Sequence, residues 1–286
     1  VGSIGDSSWD GCAGMLIVSE DMLRASKANK SFSFAHDGKT YTWTNDENNI
    51  FTGQVTNISG MFSSTWNDPY SAFNGDISYW DTSSVTHMGH IFYYNGNFNG
   101  DISNWDTSNV TNMSSMFNNS PFNGDISNWD TSNVTHMSSM FNNSPFNGDI
   151  SNWNTSNVTH MNHMFVQSAF NGDLSSWDTS NVTNMSWMFG AKDTAFNGDL
   201  SNWDTSSVTN MYGMFYLNPA FNGDISNWDT SSVTNMGSMF TYNSTFNNNL
   251  SSWCVQSVTS YGGFNIGSAL SAANLPPTFG TSTNCN

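Results

Sequence analysis

Large apolar residues recur along most of this chain at fixed distances from one another. The motif Phe-Asn-Gly-Asp, or a close variant, returns at intervals of 24 to 26 residues. Eight repeat units begin in this way, at Phe73, Phe98, Phe122, Phe146, Phe170, Phe196, Phe221 and Phe246. The first and last of these are 173 residues and seven intervals apart, which gives about 24.7 residues per unit. Self-similarity at such a period indicates a repeat architecture.

Each unit keeps its apolar residues at the same internal positions. A complete unit reads FNGDISNWDTSNVTNMSSMFNNSP, residues 98–121. Stacking the units places Trp on Trp, Met on Met and Phe on Phe, and repeated Met and aromatic positions are typical of core packing. One unit is too short to bury its own apolar residues, so its neighbours must cover them. The pattern therefore predicts a repeat solenoid with a Trp, Met and Phe interior.

The local pattern predicts the elements of one unit. Phe-Asn-Gly suggests a turn into a short strand, and Asp-Ile-Ser-Asn-Trp is the best strand candidate. Asp-Thr-Ser-Asn has turn chemistry because these side chains bond to their own backbone. VTNMSSMF, residues 110–117, predicts an extended piece followed by a helical or 3-10 turn. One paired strand per unit would give a rise of about 4.8 Å and a rod of roughly 40 Å.

The two ends of the array depart from the template. The half-unit VTNISGMF begins at Val55, and the array ends near Phe264. Residues 31–54 predict a hairpin of two alternating aromatic strands around Asp37-Gly38, which would cover the first unit. A short helix is expected at Ser19 to Lys27. The predicted division is an arm and hairpin cap at 1–54, the solenoid at 55–264 and a C-terminal cap or tail at 265–286.

The units resemble those of the BspA-type leucine-rich-repeat surface proteins, in the variant F-N-x-D-I/L-S-x-W-D-x-S-x-V-T-x-M-x-x-M-F. The resemblance covers about residues 55–264; residues 1–54 have no counterpart in it. It implies a right-handed solenoid of short parallel strands with helical or 3-10 turns, located at the cell surface or outside the cell. It implies a role in adhesion or assembly and brings no catalytic residues.

Composition and charge exclude several partners. The chain has 5 Lys+Arg against 22 Asp+Glu, a net charge of -17, and lacks the basic stripe that nucleic-acid binding requires. An aromatic content of 15% separates it from a disordered acidic tail, and no apolar run is long enough to span a membrane. The start at Val1 fits either a secreted product after cleavage or a trimmed chain. We expect an extracellular or cell-surface protein.

Asp residues form two columns, one after Gly (Asp76 to Asp224) and one after Trp (Asp81 to Asp229). Stacked carboxylates repel one another unless cations such as calcium lie between them or backbone amides bind them. We favour backbone amides because Asn154 replaces one member. Identical carboxylates in every unit also lack the unlike acid and base of a glycosidase. No phosphate loop or nucleophile motif is present, so we expect neither an enzyme nor a cofactor.

Histidines and asparagines provide weaker site candidates. His136, His160 and His163 would suit a transition metal if they met across neighbouring units; drift between Asn and His at a surface column is the alternative. Thirteen N-x-S/T sequons occur, close to the number expected by chance, and glycans on neighbouring units would crowd. The glycosylation candidates are Asn109, Asn112, Asn118, Asn133, Asn142, Asn157, Asn181, Asn184 and Asn243.

Cysteines and the N-terminal segment suggest covalent closure and assembly. Cys254 and Cys285 flank the C-terminal end and could pair, which leaves Cys12 free or bonded to another chain. A solenoid exposes core at its ends, so an N-terminal arm that docks on the next copy would build a head-to-tail filament. The residues proposed for this contact are Val1, Gly2, Ile4, Trp9 and Cys12.

The sequence predicts first a non-enzymatic filament or surface-layer subunit whose partners are copies of itself. The alternative is an adhesin for glycans or proteins, with a patch at His163, Trp187 and Tyr212, where side chains replace Ser in successive units. A further alternative is ice binding through two Thr columns, Thr82 to Thr230 and Thr86 to Thr259. We favour hydrogen bonds between units as the role of these hydroxyls.

Overall fold

The computed structural model describes residues 3–4, 15–28, 33–36, 38–43, 50–64, 73–192 and 194–281. Regular elements within these segments lie mostly before the repeats. They are β1 (Ser3–Ile4), β2 (Leu16–Ile17), α1 (Glu20–Ala28), β3 (Ser33–His36), β4 (Lys39–Thr42), β5 (Ile50–Phe51) and a 3-10 helix at Ala272–Asn274. None of the helices in the described residues has the length and apolarity needed to cross a membrane.

The N-terminal region forms two small sheets and one helix. Strand β2 pairs with β1 in antiparallel fashion and with β5 in parallel. Strands β3 and β4 form the predicted antiparallel hairpin, with Gly38 at a positive φ of 75° in the connection and Asp37 outside the described residues. The helix predicted at 19–27 is α1, and the Ser19 hydroxyl accepts the Met22 amide at 3.3 Å at its start.

The repeat units stack in parallel and in register. One residue of each unit makes a parallel β-bridge to the equivalent residue of the next unit. These residues are Asn57, His87, Asn112, His136, His160, Asn184, Asn210, Asn235 and Ser260. Within the described part of the array the pairing does not extend into strands, so the prediction of short parallel strands is wrong.

Asp-Ile-Ser-Asn-Trp, the strand candidate, is a turn in every described unit. In the unit at 98–121, the Asp101 carboxylate accepts the Ser103 amide at 2.9 Å. The Trp105 amide then donates to the Ile102 carbonyl at 3.2 Å, which closes a four-residue turn. Ile102 and Trp105 are both buried, and their spacing of three suits a turn and not the two-residue alternation of a strand.

The VTNMSSMF segment carries the backbone bonds between units. From Met113 to Asn119, backbone amides alternate between two kinds of acceptor. Those of Met113, Ser115, Phe117 and Asn119 donate to carbonyls of the next unit at 2.8 to 3.0 Å, whereas the amides between them close turns within the unit. This alternation requires left-handed backbone at Ser115 (φ 56°) and Asn119 (φ 54°), and it recurs in the other units. The segment predicted to be a helical turn is therefore a series of tight turns in which every second backbone amide donates to a carbonyl of the next unit.

The core is a set of parallel side-chain columns. Phe117 stacks on Phe141 of the next unit at 5.8 Å and on Phe122 at 4.1 Å, and Trp129 stacks on Trp153 at 6.5 Å. From Trp105 to Trp253, each Trp of this column also donates its indole N–H to the Ile or Leu carbonyl of the preceding unit, as Trp153 does to Ile126 at 3.1 Å. The predicted Trp, Met and Phe columns are confirmed as buried core.

Candidate functional site

Exposed large apolar side chains are concentrated near the C-terminal end of the array. Those that are at least about one third exposed among the described residues are Tyr212, Tyr242, Tyr261 and Ile266. All four lie in the last three units, whereas the equivalent positions of earlier units are mostly Ser, Asn or buried Met. Apolar side chains that interrupt a polar repeat mark an interaction surface better than isolated exposed residues do.

Five rings form a continuous surface feature, which we call the aromatic ridge: His163, Trp187, Tyr212, Tyr216 and Tyr242. His163 stacks on Trp187 with ring centroids 6.3 Å apart. Trp187 contacts Tyr212 at 5.8 Å and Tyr216 at 4.9 Å, and Tyr216 reaches Tyr242 at 6.5 Å. The ridge therefore crosses four successive units.

Local backbone explains how these rings lie on the surface. His163, Trp187 and Tyr242 have left-handed backbone, with φ of 61°, 59° and 56°. The rings of Trp187 and Tyr242 lie close to glycines of the following unit: a Cβ on Gly213 would lie 3.0 Å from the Trp187 ring, and one on Gly267 would lie 2.5 Å from the Tyr242 ring. In both cases the unit after the ring has glycine at the position where a side chain would displace the ring.

The ridge corrects and extends the predicted patch. Tyr212 does not share the column of His163 and Trp187, because Gly213 holds that position in its unit, but its ring still contacts Trp187. The patch predicted from the sequence did not include Tyr216 and Tyr242. The available signal was that Tyr242 replaces the Asn119 and Asn143 of earlier units.

The N-terminal end of the array is covered by cationic side chains from α1. Carbonyls at the bridge position of each unit, and at every second residue after it, accept amides from the preceding unit; the half-unit at 55–64 has no preceding unit. There, Arg24 donates to the carbonyls of Asn57 and Ser59 at 3.3 Å each. Lys27 donates to the carbonyl of Gly60 and to that of Ser63, the latter at 3.4 Å. Two of the five cationic residues in the chain are used at this end.

The C-terminal end, in contrast, has a row of amides without acceptors among the described residues, beside a tail whose Phe279 stacks on Tyr261 at 4.6 Å. The last unit places Tyr261, Gly263, Asn265 and Gly267 where internal units donate to the next unit. None of these four amides has an acceptor within the described residues. Beside them is a groove of about 390 Å³, lined by residues that include Phe264, Ile266, Leu275 and Phe279.

A comparison with known protein families identifies the family of this chain. A family model described as "Mycoplasma protein of unknown function, DUF285" matches residues 30–144, 119–195 and 167–271. These overlapping matches span 242 of the 286 residues, from 30 to 271. The chain belongs to this family. No curated protein and no solved structure matches the chain. The successive DUF285 matches confirm tandem repeats, while the finer resemblance to BspA-type units stays a prediction.

The three histidines proposed for a metal do not come together. His136 and His160 stack at 5.0 Å with nearly parallel rings, whereas His163 packs on Trp187. No group of three or more metal-ligating side chains occurs within the described residues. Burial lowers the pKa of His160, with a further contribution from His136, and burial alone lowers the pKa of His163.

The Asp columns bind their own turns, as expected. Asp149 accepts the Ser151 amide at 2.9 Å and the Ser151 hydroxyl at 2.7 Å, and Asn154 makes the same pair of bonds with Ser156. The backbone bond, followed by the hydroxyl bond, lowers the pKa of Asp149 below its ordinary value. The same pair of bonds at Asp149 and Asn154 identifies these turns as hydrogen-bonded structures.

The sequons divide by burial. Asn118 and Asn243 are 8% and 0% exposed, and the Asn243 amide nitrogen donates to the Phe221 carbonyl at 3.3 Å. Both side chains are buried in this fold, which argues against a glycan on either, and the Asn243 side chain also accepts the Thr245 and Phe246 amides of its loop. The column Asn109, Asn133, Asn157 and Asn181 is exposed, but its amide nitrogens donate to Ser carbonyls of the preceding unit at 2.7 to 2.8 Å. Asn112, Asn142 and Asn184 are half-buried.

The Thr columns differ in exposure. Thr82 to Thr230 are 0% to 2% exposed and donate to carbonyls of the next unit, as Thr155 does to Asp178 at 2.9 Å. The Thr86 column donates to Thr carbonyls of the preceding unit, as Thr159 does to Thr135 at 3.1 Å. The hydroxyls support the stack, and burial of the Thr82 column removes half of the proposed ice-binding array.

The structure tests part of the predictions for the cysteines and for the N-terminal arm. Cys254 is disulfide-bonded and 7% exposed; its proposed partner Cys285 lies outside the described residues, so that pairing stays a prediction. Ile4 belongs to β1, which pairs with β2 of the same chain, so this part of the segment is not a free arm. Val1, Gly2, Trp9 and Cys12 lie outside the described residues.

Proposed function

We propose that the protein is a non-enzymatic adhesin of the cell surface or extracellular space, built on a solenoid, that binds a glycan or protein ligand through the aromatic ridge. The observation that carries the proposal is the run of contacting rings from His163 to Tyr242 on an otherwise Ser- and Asn-rich surface. Tyr and Trp surrounded by Ser, Gly and Asn are the composition that binding loops of antibodies use.

The side chains of the aromatic ridge suit a surface that loses its water when a ligand binds. Tyr and Trp bury much apolar area at a small loss of conformational freedom. Binding hot spots are enriched in Trp, Tyr and Arg, and interface cores are depleted of Lys, Glu and Asp. No ridge side chain carries a carboxylate or an ammonium group, so a ligand could cover the ridge without burying such a charge. The disulfide at Cys254 supports a location in an oxidising compartment.

The filament that the sequence predicted first is less well supported for the chain in this conformation. For a second copy to continue the backbone hydrogen bonds that join the units, one end of the array must offer free carbonyls and the other free amides. The amides of the last unit have no acceptor among the described residues, but Arg24 and Lys27 occupy carbonyls at the N-terminal end. The adhesin needs no such rearrangement, because the ridge is already on the surface.

The test compares binding of the full chain and a ridge variant to immobilised glycans and immobilised extracellular-matrix proteins. The variant Trp187→Ser, Tyr212→Ser, Tyr242→Asn introduces the side chains that other units have at those positions, so it should keep the fold. We expect binding to fall at least about tenfold. Tyr94→Asn is the matched control, since Tyr94 occupies the Tyr242 column near the opposite end. Unchanged binding to every surface, or no binding by the natural chain, would refute the proposal.

A further inference from the structure

The two ends of the repeat array have complementary main-chain chemistry. At each internal junction, four amides of one unit meet four carbonyls of the next; Met236, Ser238, Phe240 and Tyr242 donate to Ser260, Gly262, Phe264 and Ile266 at 2.7 to 2.9 Å. The last unit offers the next four amides, at Tyr261, Gly263, Asn265 and Gly267, without acceptors in the described residues. The half-unit at 55–64 has carbonyls in the matching positions.

Two residues of α1 bind the carbonyls that would complete such a junction. The matching acceptors are the carbonyls of Asn57, Ser59, Met61 and Ser63, by equivalence with the next unit. Arg24 binds the first two and Lys27 binds the last. Glu20 accepts the Arg24 Nε–H at 2.8 Å and holds the guanidinium in place.

We propose that α1 is a removable cap over a head-to-tail assembly site, and that the partner of this site is a second copy of the chain. When Arg24 and Lys27 leave the carbonyls, the amide edge at 261–267 of another copy takes their place and continues the ladder. This interface is heterologous, so it generates an open filament wherever rotation does not close a ring.

The chemistry of the edges selects the partner. Two C-terminal edges facing each other would oppose donor to donor, so a symmetric end-to-end dimer cannot form these bonds. An acceptor for the amide edge must present carbonyls at every second residue with the same tight turns. Within the described residues, the half-unit at 55–64 is the set of repeat carbonyls that no preceding unit uses.

The site is independent of the aromatic ridge, so this inference goes beyond the proposed adhesin and does not depend on it. It also explains the position of two cations in a chain with a net charge of -17. Side chains of Arg and Lys can satisfy carbonyls at an array end without providing the amide edge that another copy would need. The negative charge of each copy opposes association, and added salt should weaken that repulsion.

The test removes the cap donors and keeps their apolar stems. Full-length R24M/K27M is compared with the natural chain by sedimentation velocity and electron microscopy over a range of concentrations, at 0.15 M and 0.5 M salt. We expect rods that lengthen with concentration, with half-assembly at a concentration at least about tenfold lower than for the natural chain. K39M/K192M, at two exposed lysines, is the control for the same loss of charge.

A second substitution separates ladder growth from aggregation of a damaged chain. Tyr261 is 48% exposed, but its equivalent Met236 is 0% exposed beneath the next unit. Tyr261→Lys removes the stacking of Tyr261 on Phe279 but leaves the new ammonium in water in a single copy. It should return R24M/K27M to monomers, because a buried unpaired ammonium is costly. The inference is overturned if folded R24M/K27M assembles no more readily than the natural chain, or if Tyr261→Lys leaves its oligomers intact.

Discussion

Ser115 has left-handed backbone, with φ of 56°, and its substitution by glycine should stabilise the protein. The Cβ of an L-residue is crowded in this region, whereas glycine adopts it readily. The sequence supports this reasoning, because equivalent positions in other units are Gly60, Gly213 and Gly263, with φ of 66°, 62° and 73°. The neighbouring Ser114 is the matched control, since its backbone is not left-handed.

The magnitude follows from two opposed contributions. Relief of the left-handed conformation is worth about 1 to 2 kcal/mol, and the greater freedom of glycine in the unfolded chain costs about 0.5 to 1 kcal/mol. Ser115→Gly should therefore raise the free energy of unfolding by up to about 1.5 kcal/mol. Ser114→Gly incurs only the cost, so the two variants should differ by about 1 to 2 kcal/mol.

Urea unfolding followed by tryptophan fluorescence measures this difference, because the Trp column is buried along the stack. Both variants should retain the natural slope of free energy against urea, so that midpoints can be compared. Equal destabilisation by Ser114→Gly and Ser115→Gly would refute the claim that the left-handed position is strained.

Two further predictions concern hydrogen bonds within the stack. Thr155→Val should lower the free energy of unfolding by about 1 to 2 kcal/mol, because it removes the donor to a carbonyl of the next unit from a residue 1% exposed. Thr159→Val, at a half-buried position, should lower it by about 0.5 kcal/mol. Equal urea midpoints for the two variants would contradict this difference. Asp149 has a folded pKa below its unfolded value, so its contribution is present above the unfolded pKa of about 3.9 and is lost as pH falls through the folded pKa. Asp149→Asn keeps the turn and should lose less stability than the natural chain between pH 5 and pH 3; equal losses in urea titrations at the two pH values would contradict this assignment.

The repeats made the buried core predictable from the sequence, but the local elements within a unit were harder to predict. Ile102 and Trp105 looked like part of a strand, although a spacing of three does not place two residues on one face of a strand. Asp101 decides the outcome by accepting the Ser103 amide and closing a turn. The left-handed positions also left a trace in the sequence, since Gly213 and Gly263 share a column with Ser115.

The sites that sequence reasoning missed depend on contacts between distant segments. Arg24 binds carbonyls 33 and 35 residues away, and these carbonyls need a partner only because no unit precedes them. Likewise, Tyr216 joins the aromatic ridge because the stack brings it within 4.9 Å of Trp187 in the preceding unit. Columns of like residues follow from the period, whereas contacts at column ends and between different columns follow from three-dimensional stacking.

Amide hydrogen exchange, resolved residue by residue, tests most directly the claim that backbone bonds pass from unit to unit and stop at one open end. We expect slow exchange for the amides of Met236, Ser238, Phe240 and Tyr242, each bonded to the last unit at 2.7 to 2.9 Å. We expect exchange near the rate of an unprotected chain for the amides of Tyr261, Gly263, Asn265 and Gly267. Equal protection of the two sets of amides in monomeric protein would contradict this claim.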